Sequence, residues 1–322
     1  MPDTEYMIPL LPFEARCNPR WEAAEAQVRT WLNFLYPHRS TADEHSFADS
    51  RTAKLTGYSF PDADLDDLVT LTAATEALFE CDDRIAYDGH SSMADAQGHA
   101  SRLQCVLETG QADVSDGPDL IAMAAILQRI YPRQSESWKT RFRKHIWSSI
   151  FATAAEFENR SEDRVPGVRE YIAIRRETIG VITALDLAEF SGHYELPETL
   201  YHNPQLNRLR HSCIDTVAWM NDIYSYHREE AAGEINLVHV LRTENETSLV
   251  RTFEAIYGMI ESRISYFVDA ERTLRTSDTY HAMAETDRAG VAASVEAMKN
   301  AMVGGRQWQA EVSRYALTRT GA

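Results

Sequence analysis

The chain has 322 residues, of which 44% are hydrophobic, and it carries a formal net charge of −17 at pH 7. That length and apolar content can form a substantial core. The negative charge disfavours nucleic acid and anionic membranes as partners, because both require a basic face. The four cysteines form no CxxC pair, and the sequence has neither an 18-residue apolar run nor a basic-then-apolar leader. We therefore expect a cytoplasmic protein without a zinc site or a membrane partner.

Helical periodicity dominates the sequence, and we find no run of strands with two-residue alternation. The connections between the periodic segments are short and contain no low-complexity linker or repeat. We therefore predict an all-α protein with a single domain over residues 1–322. In chain order, the predicted helices cover residues 20–36, 46–55, 64–87, 93–109, 118–131, 135–159, 166–192, 204–230, 234–242, 246–273, 282–301 and 305–317.

The third predicted helix carries acidic residues at both of its ends. Asp66 and Asp67 lie in its first turn, where the helix dipole favours carboxylates, so they need no further explanation. Asp82 and Asp83 lie near its C-terminal end, where the dipole disfavours them, and a bound cation would account for their presence. We predict Asp82 as a metal ligand, with Asp83 and Asp88 as secondary candidates, because Asp88 lies about 120° from Asp82 on an ideal helix.

Gly180 interrupts the strong helical pattern of residues 166–192. A glycine inside a helix costs about 1 kcal/mol relative to alanine, so its presence calls for a reason. One reason is a break in the helix, which would free backbone carbonyls to face a ligand. The alternative is close packing against a neighbouring helix, and the sequence leaves both open.

An oxygen-bearing stripe lies near the end of the helix predicted for residues 204–230. At about 100° per residue, Asn221, Ser225 and Glu229 fall on one face, and Arg228 lies close to Asn221. An amide, a hydroxyl and a carboxylate are ligands for a hard cation such as Mg²⁺, which also bridges to phosphates. Glu230 points to the opposite side, so we predict Glu229 as the ligand.

The alternative for this stripe is the polar face of a solvated helix, which is common on protein surfaces. The segment that precedes it, residues 213–220, is largely apolar. We therefore expect the stripe to be buried, where its oxygens need partners and a metal ion would be one.

These residues resemble the metal-binding motif of bacterial class I terpene cyclases, and the resemblance covers nearly the whole chain. The family motif NDxxSxxxE is matched by Asn221, Asp222, Ser225 and Glu229, with the basic residue before the glutamate supplied by Arg228. This match is specific, because four positions of defined chemistry occur at the correct spacing.

The aspartate-rich motif of the same family resembles Asp82 and Asp83, which follow an aromatic-containing segment that includes Phe79. The third acidic residue of that motif is absent, since this chain has Ala86 and Tyr87 at the corresponding positions. The resemblance therefore supports Asp82 as a ligand and leaves the role of Asp88 open.

The resemblance also implies roles for residues elsewhere in the chain. Arg175 would sense the diphosphate, Thr178 would be the linker, and Ile179 would be the effector whose carbonyl faces the substrate. The terminal pair of the family corresponds to Arg314 and Tyr315.

The implied fold is a helical barrel of the isoprenoid synthase type with two metal motifs across its mouth. Three Mg²⁺ ions would be held by Asp82, Asn221, Ser225 and Glu229. The diphosphate would be bound by Arg175, Arg228, Arg314 and Tyr315. Phe79 and Trp308 would line the pocket and stabilise carbocations by cation–π attraction. An ordinary terminal helix packed by its aromatic residues is the alternative for Trp308 and Tyr315.

The implied activity is the Mg²⁺-dependent ionisation and cyclisation of an isoprenyl diphosphate, with farnesyl diphosphate first and geranylgeranyl diphosphate second. A chain-elongating prenyltransferase would need a second aspartate-rich motif, which this chain replaces with the Asn-Ser-Glu stripe. A non-catalytic helical interaction protein would need no metal stripe. Homodimerisation is left open.

A closing lid is a further expectation. In the empty enzyme, neither Arg175 nor Arg314 has an anionic protein partner that the sequence defines. We therefore expect the terminal segment after about Arg306 to be mobile until diphosphate binds, and then to close with Trp308 buried.

Overall fold

The structure of the chain is a computed structural model that describes residues 8–35, 51–86, 93–162 and 164–312. For residues 81–86, 93–97, 157 and 161 it describes the backbone alone. None of the described residues lies in a β-strand, so the predicted all-α class is confirmed. No helix in these ranges is long and apolar enough to cross a membrane.

The described helices follow one another with short connections, and a single 3₁₀ turn at Tyr131–Arg133 follows the fifth of them. They are α1 (Trp21–Leu35), α2 (Thr52–Ser59), α3 (Leu65–Ala86), α4 (Met93–Thr109), α5 (Pro118–Ile130), α6 (Glu136–Ser161), α7 (Val168–Thr178), α8 (Val181–Ser191), α9 (Glu198–Tyr201), α10 (Pro204–Ala232), α11 (Leu237–Asn245), α12 (Leu249–Arg275), α13 (Asp278–Ala282) and α14 (Glu285–Glu311).

Side-chain caps define where several of these helices begin. Ser135 accepts a hydrogen bond from the Trp138 amide at the start of α6. Asn203 caps α10, and Pro204 occupies the first helical position, where a missing amide proton costs nothing. Such caps satisfy amide groups that have no partner inside the helix.

Two of the predicted helix boundaries are wrong. The prediction of separate helices over 282–301 and 305–317 is replaced by one continuous helix, α14, which passes through Gly304 and Gly305. The helix predicted for 46–55 extends to Ser59 from its first described helical residue, Thr52, and Arg51 before it has a left-handed φ of 44°, while residues 46–50 lie outside the described residues. In both cases tertiary packing outweighs local propensity.

Helix α10 is buried along much of its length and packs against α12 and α14. Helix α14 also packs against α2, α1 packs against α3, and α6 packs against α7. Three clusters of buried apolar side chains fill the spaces between the helices. This arrangement leaves a cavity whose wall is built mainly from α2, α3, α6, α7, α8, α10 and α14.

Candidate active site

The main cavity has a volume of about 350 Å³ and combines an apolar wall with a group of charged side chains. The apolar wall includes Phe60, Leu78, Phe79, Leu103, Met123, Ile146, Ile150, Leu187, Val217 and Trp308. The polar lining includes Glu156, Arg160, Arg175, Asn221, Arg228, Glu229 and Glu234. The charged groups come from the C-terminal halves of α6, α7 and α10 and from the segment after α10. A largely apolar pocket with a few convergent charges is typical of a binding site for an amphiphilic small molecule.

Helix α10 presents the predicted stripe with the predicted phase. Asn221 and Glu229 line the cavity together with Arg228, whereas Ser225 is fully buried. Glu230 accepts a hydrogen bond from Tyr226 instead, and 52% of its side chain is exposed. The cavity-facing carboxylate of this pair is therefore Glu229, as the helical phase indicates.

The stripe also has the chemistry that a hard cation requires. The Ser225 hydroxyl donates its proton to the Asn221 backbone carbonyl at 2.7 Å, which leaves its lone pairs free to accept a cation. One carboxylate oxygen of Glu229 lies 3.1 Å from Arg228 Nη2. Amide, hydroxyl and carboxylate oxygens at this spacing fit Mg²⁺ better than a softer metal.

Asp222 is the buried anchor of the site. Its carboxylate accepts hydrogen bonds from the Tyr171 hydroxyl at 2.8 Å and from Arg175 Nε at 2.9 Å. Burial raises the pKa of Asp222, and the neighbouring Arg175 guanidinium opposes that shift. Arg175 Nη2 also donates to Asn221 Oδ1 at 2.6 Å. The guanidinium of α7 is thus fixed against the metal-motif end of α10.

This ion pair corrects one expectation from the sequence. We expected Arg175 to have no anionic protein partner, but Asp222 is such a partner. Burial acts to lower the pKa of Arg175, and the Asp222 carboxylate nevertheless raises it well above its ordinary value. The pairing was not predictable, because the two residues lie on different helices that meet only in the fold.

Asn236 is a site residue that the sequence analysis missed. Its side-chain nitrogen donates to Glu229 Oε2 at 2.7 Å and to the Asp222 backbone carbonyl at 2.8 Å. Its side-chain oxygen accepts from the Val238 amide at 2.8 Å and so caps α11. The available signal was an asparagine directly before a helical run, which marks an N-cap but does not reveal the contact with Glu229.

The helix is broken at Gly180. Of the two explanations for this glycine that the sequence left open, the helix break is therefore confirmed. Gly180 has a φ of 73° and separates α7 from α8. Thr178, Ile179 and Gly180 line the cavity. The Thr178 hydroxyl donates to Glu156 Oε1 at 2.9 Å, so a side chain of α6 contacts this segment, and the role of Thr178 as the linker stays a prediction. Glu156 is a second cavity residue that the sequence analysis missed.

The structure describes the backbone of the aspartate-rich motif but not its side chains. Asp82 and Asp83 lie in the last turns of α3, four residues after the cavity-lining residues Leu78 and Phe79 respectively. Both positions therefore fall on the helix face that lines the cavity. Asp88 lies outside the described residues, and its role stays a prediction.

The predictions for the C-terminal segment can be compared with the structure only as far as residue 312. Trp308 lines the cavity as predicted, and only 4% of it is exposed. The expectation that the segment is mobile after about Arg306 is wrong for its first part, because α14 continues to Glu311 and packs Trp308 into the wall. Arg314 and Tyr315 lie outside the described residues, so their roles stay predictions.

A separate acidic group lies at the other end of α3. Ligand atoms of Asp64, Asp67 and His193 all fall within 4.8 Å of one another. Arg133 already binds Asp67 with both of its terminal nitrogens and also contacts His193 at 2.9 Å. A guanidinium therefore supplies the positive charge there, and these residues are not part of the cavity wall.

Comparison with known proteins places this geometry in a family. Residues 64–265 match the family model described as terpene synthase family 2, C-terminal metal binding. The chain is 29% identical over 313 residues to pristinol synthase of Streptomyces pristinaespiralis, covering 95% of this chain and 83% of that protein. It is 26% identical over 321 residues to the (2E,6E)-farnesyl diphosphate cyclising 7-epi-alpha-eudesmol synthase of Streptomyces viridochromogenes, covering 97% and 92%.

The fold agrees with that assignment. The crystal structure of an α-eudesmol synthase superimposes with a TM-score of 0.84 at 24% identity, covering 94% of this chain and 98% of that one. The all-helical fold of the chain is thus one already known from a solved structure. The chain belongs to the terpene synthase family whose C-terminal region binds metal.

Proposed function

We propose that this chain, acting as a single domain over residues 1–322, is a class I terpene cyclase that converts farnesyl diphosphate into a cyclic terpene and inorganic diphosphate. The observation that carries the proposal is the cavity itself, where an apolar wall adjoins oxygen ligands and guanidinium groups. That combination suits a substrate with an isoprenoid chain at one end and a metal-bound diphosphate at the other. Curated relatives that cyclise farnesyl diphosphate over nearly the same chain length support the C15 substrate.

Three Mg²⁺ ions would be held by Asn221, Ser225 and Glu229 on one side and by Asp82 on the other, with Asp83 and Asp88 as further acidic groups. When bound, the metal supplies positive charge that neutralises the diphosphate leaving group. The oxygen-only donor set of α10 supports a hard cation. Asn236 would hold Glu229 in position by donating to the oxygen that does not face Arg228.

The basic residues would bind the diphosphate as it leaves. Arg228 and Arg175 line the cavity, and Arg314 and Tyr315 would approach from the C-terminal segment. Arg175 would exchange its contact with Asn221 for a diphosphate oxygen, while Asp222 keeps the guanidinium oriented. Such charge-assisted hydrogen bonds strengthen as negative charge develops on the leaving group.

The linker and the wall would then control the allylic cation. Thr178, held by Glu156, fixes the backbone at Ile179 and Gly180 beside the cavity. Phe79 and Trp308 offer aromatic faces to the cation, and the apolar wall excludes water that would quench it. The scattered cysteines support a reducing, cytoplasmic location.

The direct test incubates the purified chain and Mg²⁺ with the C10, C15 and C20 isoprenyl diphosphates and analyses the hydrocarbons and alcohols that form. We expect a cyclic C15 product from farnesyl diphosphate. A cyclic C20 product from geranylgeranyl diphosphate alone would reassign the substrate. Release of longer linear diphosphates in the presence of isopentenyl diphosphate would indicate a prenyltransferase instead.

A matched pair of variants tests the metal stripe. Glu229→Ala should abolish turnover, because the ligand set loses its carboxylate, whereas Glu230→Ala should retain most of it, because Glu230 faces away from the cavity. Calorimetric titration with Mg²⁺ and inorganic diphosphate should show the same ranking. Equal losses in the two variants would contradict the assignment of α10 as the metal-binding helix.

A further inference from the structure

A second cavity, of about 180 Å³, lies behind the linker and shares no lining residue with the first. We call it the rear cavity, and its polar lining consists of His145, Arg176, Glu177, Tyr201, Arg210 and His211. The two cavities approach each other at consecutive residues of α7. Arg175 lines the main cavity, and Arg176 lines the rear cavity. The volume far exceeds the roughly 10–15 Å³ that one water molecule requires.

Arg210 is the unusual residue of this cavity. Only 5% of it is exposed, yet no carboxylate among the described residues forms a salt bridge with it. Its terminal nitrogens donate to Asn207 Oδ1 and, at 3.2 Å, to the Tyr201 carbonyl. Burial lowers the pKa of Arg210, which reflects the cost of holding its charge away from water. A buried cation of this kind requires a counter-charge.

Glu177 lines the rear cavity itself, whereas the buried carboxylates beside the cavity are already bound by other cations. Asp186 accepts from Arg141 at 2.9 Å and from His145 at 2.6 Å. Asp215 lies 2.6 Å from Arg176 and 3.0 Å from Arg263, so one carboxylate serves two guanidinium groups. Asp186 and Glu189 both attract Arg210 through space, but Arg141 already binds both of these carboxylates, and Arg210 forms no direct ion pair among the described residues.

The remaining groups around Arg210 suit an anion. Its guanidinium lies 4.0 Å from the centroid of the Tyr201 ring, and Arg141 lies 4.0 Å from the same centroid. His211 lines the cavity with its ring partly covered, and this partial burial together with the charge of Arg176 lowers its pKa. Glu177 is the acidic residue of the lining. Its negative charge opposes an anion there, and its removal provides a test.

From these contacts we infer that the rear cavity is a binding site for a small tetrahedral oxyanion of the phosphate class, distinct from the diphosphate site of the main cavity. Arg210 supplies a planar guanidinium, which matches phosphate oxygens with paired hydrogen bonds. His211 adds a ring nitrogen from the exposed side, and Tyr201 adds a hydroxyl group. The inference does not depend on the proposed cyclase activity, because none of these residues lines the main cavity.

Calorimetric titration of the full chain with inorganic phosphate, in the absence of Mg²⁺, tests the site. We expect saturable binding with one phosphate per chain. Arg210→Gln should weaken it about tenfold or more, since it removes charge-assisted hydrogen bonds, and His211→Ala should weaken it by a smaller factor. Glu177→Gln should tighten binding, because it removes a like charge. Parallel titration with sulfate would show whether a dianion alone suffices.

Two controls locate the bound ion. Arg208→Gln lies on the same helix, is exposed and lines neither cavity, so it should leave phosphate affinity unchanged. Arg228→Gln lies in the main cavity and should also leave it unchanged. Phosphate should raise the pKa of His211 measured by nuclear magnetic resonance, which a purely structural role would not do.

The inference is overturned if phosphate does not bind saturably, or if binding survives both His211→Ala and Arg210→Gln. Loss of binding in Arg228→Gln would assign the ion to the main cavity and overturn it as well. If Arg210→Gln fails to fold, the surface variants His211→Ala and Glu177→Gln still decide, because they must change affinity in opposite directions.

Discussion

Glycines in two cavity-lining segments behave differently. At Gly180 the chain takes a φ of 73°, and the helical pattern divides into α7 and α8. At Gly304 and Gly305 the helix α14 continues without interruption. A Cβ atom at Gly180 would meet nothing within 4 Å, whereas one at Gly304 would lie 2.9 Å from Tyr58 Cβ. The first glycine is required by its conformation and the second by the closeness of its neighbour.

The difference shows why glycine alone does not predict a helix end. A glycine pair costs about 2 kcal/mol of helix propensity. In α14 this cost is offset by close packing of α2, since Gly304 lets the backbone of Ser59 approach. Around Gly180 no neighbour offers comparable contact, and the left-handed conformation ends the helix.

The largest effect is expected for Gly304→Ala. The added methyl group would lie 2.9 Å from Tyr58 Cβ and 3.3 Å from the Ser59 backbone nitrogen, so α2 must move. We expect a loss of about 1–3 kcal/mol in the free energy of unfolding, measured by urea denaturation. Gly305→Ala is the matched control, because its nearest contact, Val217 Cγ1 at 3.4 Å, is closer to ordinary packing. If both variants were instead stabilised to the same extent, as helix propensity alone predicts, the close approach of α2 would not be the reason for glycine at position 304.

A smaller loss, of about 1–2 kcal/mol, is expected for Gly180→Ala. No steric clash occurs there, so the cost is that of placing an L-residue in the left-handed region. Gly180→Asn should recover part of the stability, because asparagine tolerates that conformation better than alanine. Thermal unfolding of the three proteins gives the ranking. An alanine variant as stable as the parent chain would show that the break does not require glycine.

The smallest effect, with the opposite sign, is expected for Gly258→Ala. This glycine lies inside α12, is exposed, has no positive φ, and has open space where a Cβ would be. Alanine should therefore stabilise the protein by about 0.4–1 kcal/mol through propensity and a restricted unfolded chain. An increase in the urea midpoint would confirm this. A decrease would reveal a requirement for glycine that the other two positions do not share.

The features that depend on helical periodicity were predicted correctly from the sequence. The all-α class, the phase of Asn221 and Glu229 on α10, and the opposite direction of Glu230 all follow from 3.6 residues per turn. The helix at 204–230 was correct to within two residues at its C-terminal end, because its apolar pattern and its Asn203 cap agree.

What the sequence could not provide are contacts between helices. The continuity of α14 depends on α2, and the pairing of Arg175 with Asp222 depends on how α7 crosses α10. The hydrogen bond from Thr178 to Glu156 likewise joins α7 to α6. Helix propensity depends only on residues near in the sequence and does not include contacts with other helices. For this reason the sequence analysis expected the mobile terminal segment to begin near Arg306, whereas α14 continues to Glu311.

Asn236 has a consequence for which amino acids its position tolerates. The two polar atoms of its side chain make different kinds of hydrogen bond. The oxygen accepts a hydrogen bond and caps α11, and the nitrogen donates to Glu229 and to the Asp222 carbonyl. Aspartate would preserve the cap but place a second negative charge beside Glu229. Serine would also cap the helix, but its side chain is shorter and carries no amide nitrogen for Glu229. Aspartate and serine are thus equivalent to asparagine as helix caps but cannot replace it at position 236. A prediction of tolerated substitutions from secondary structure alone would wrongly accept them.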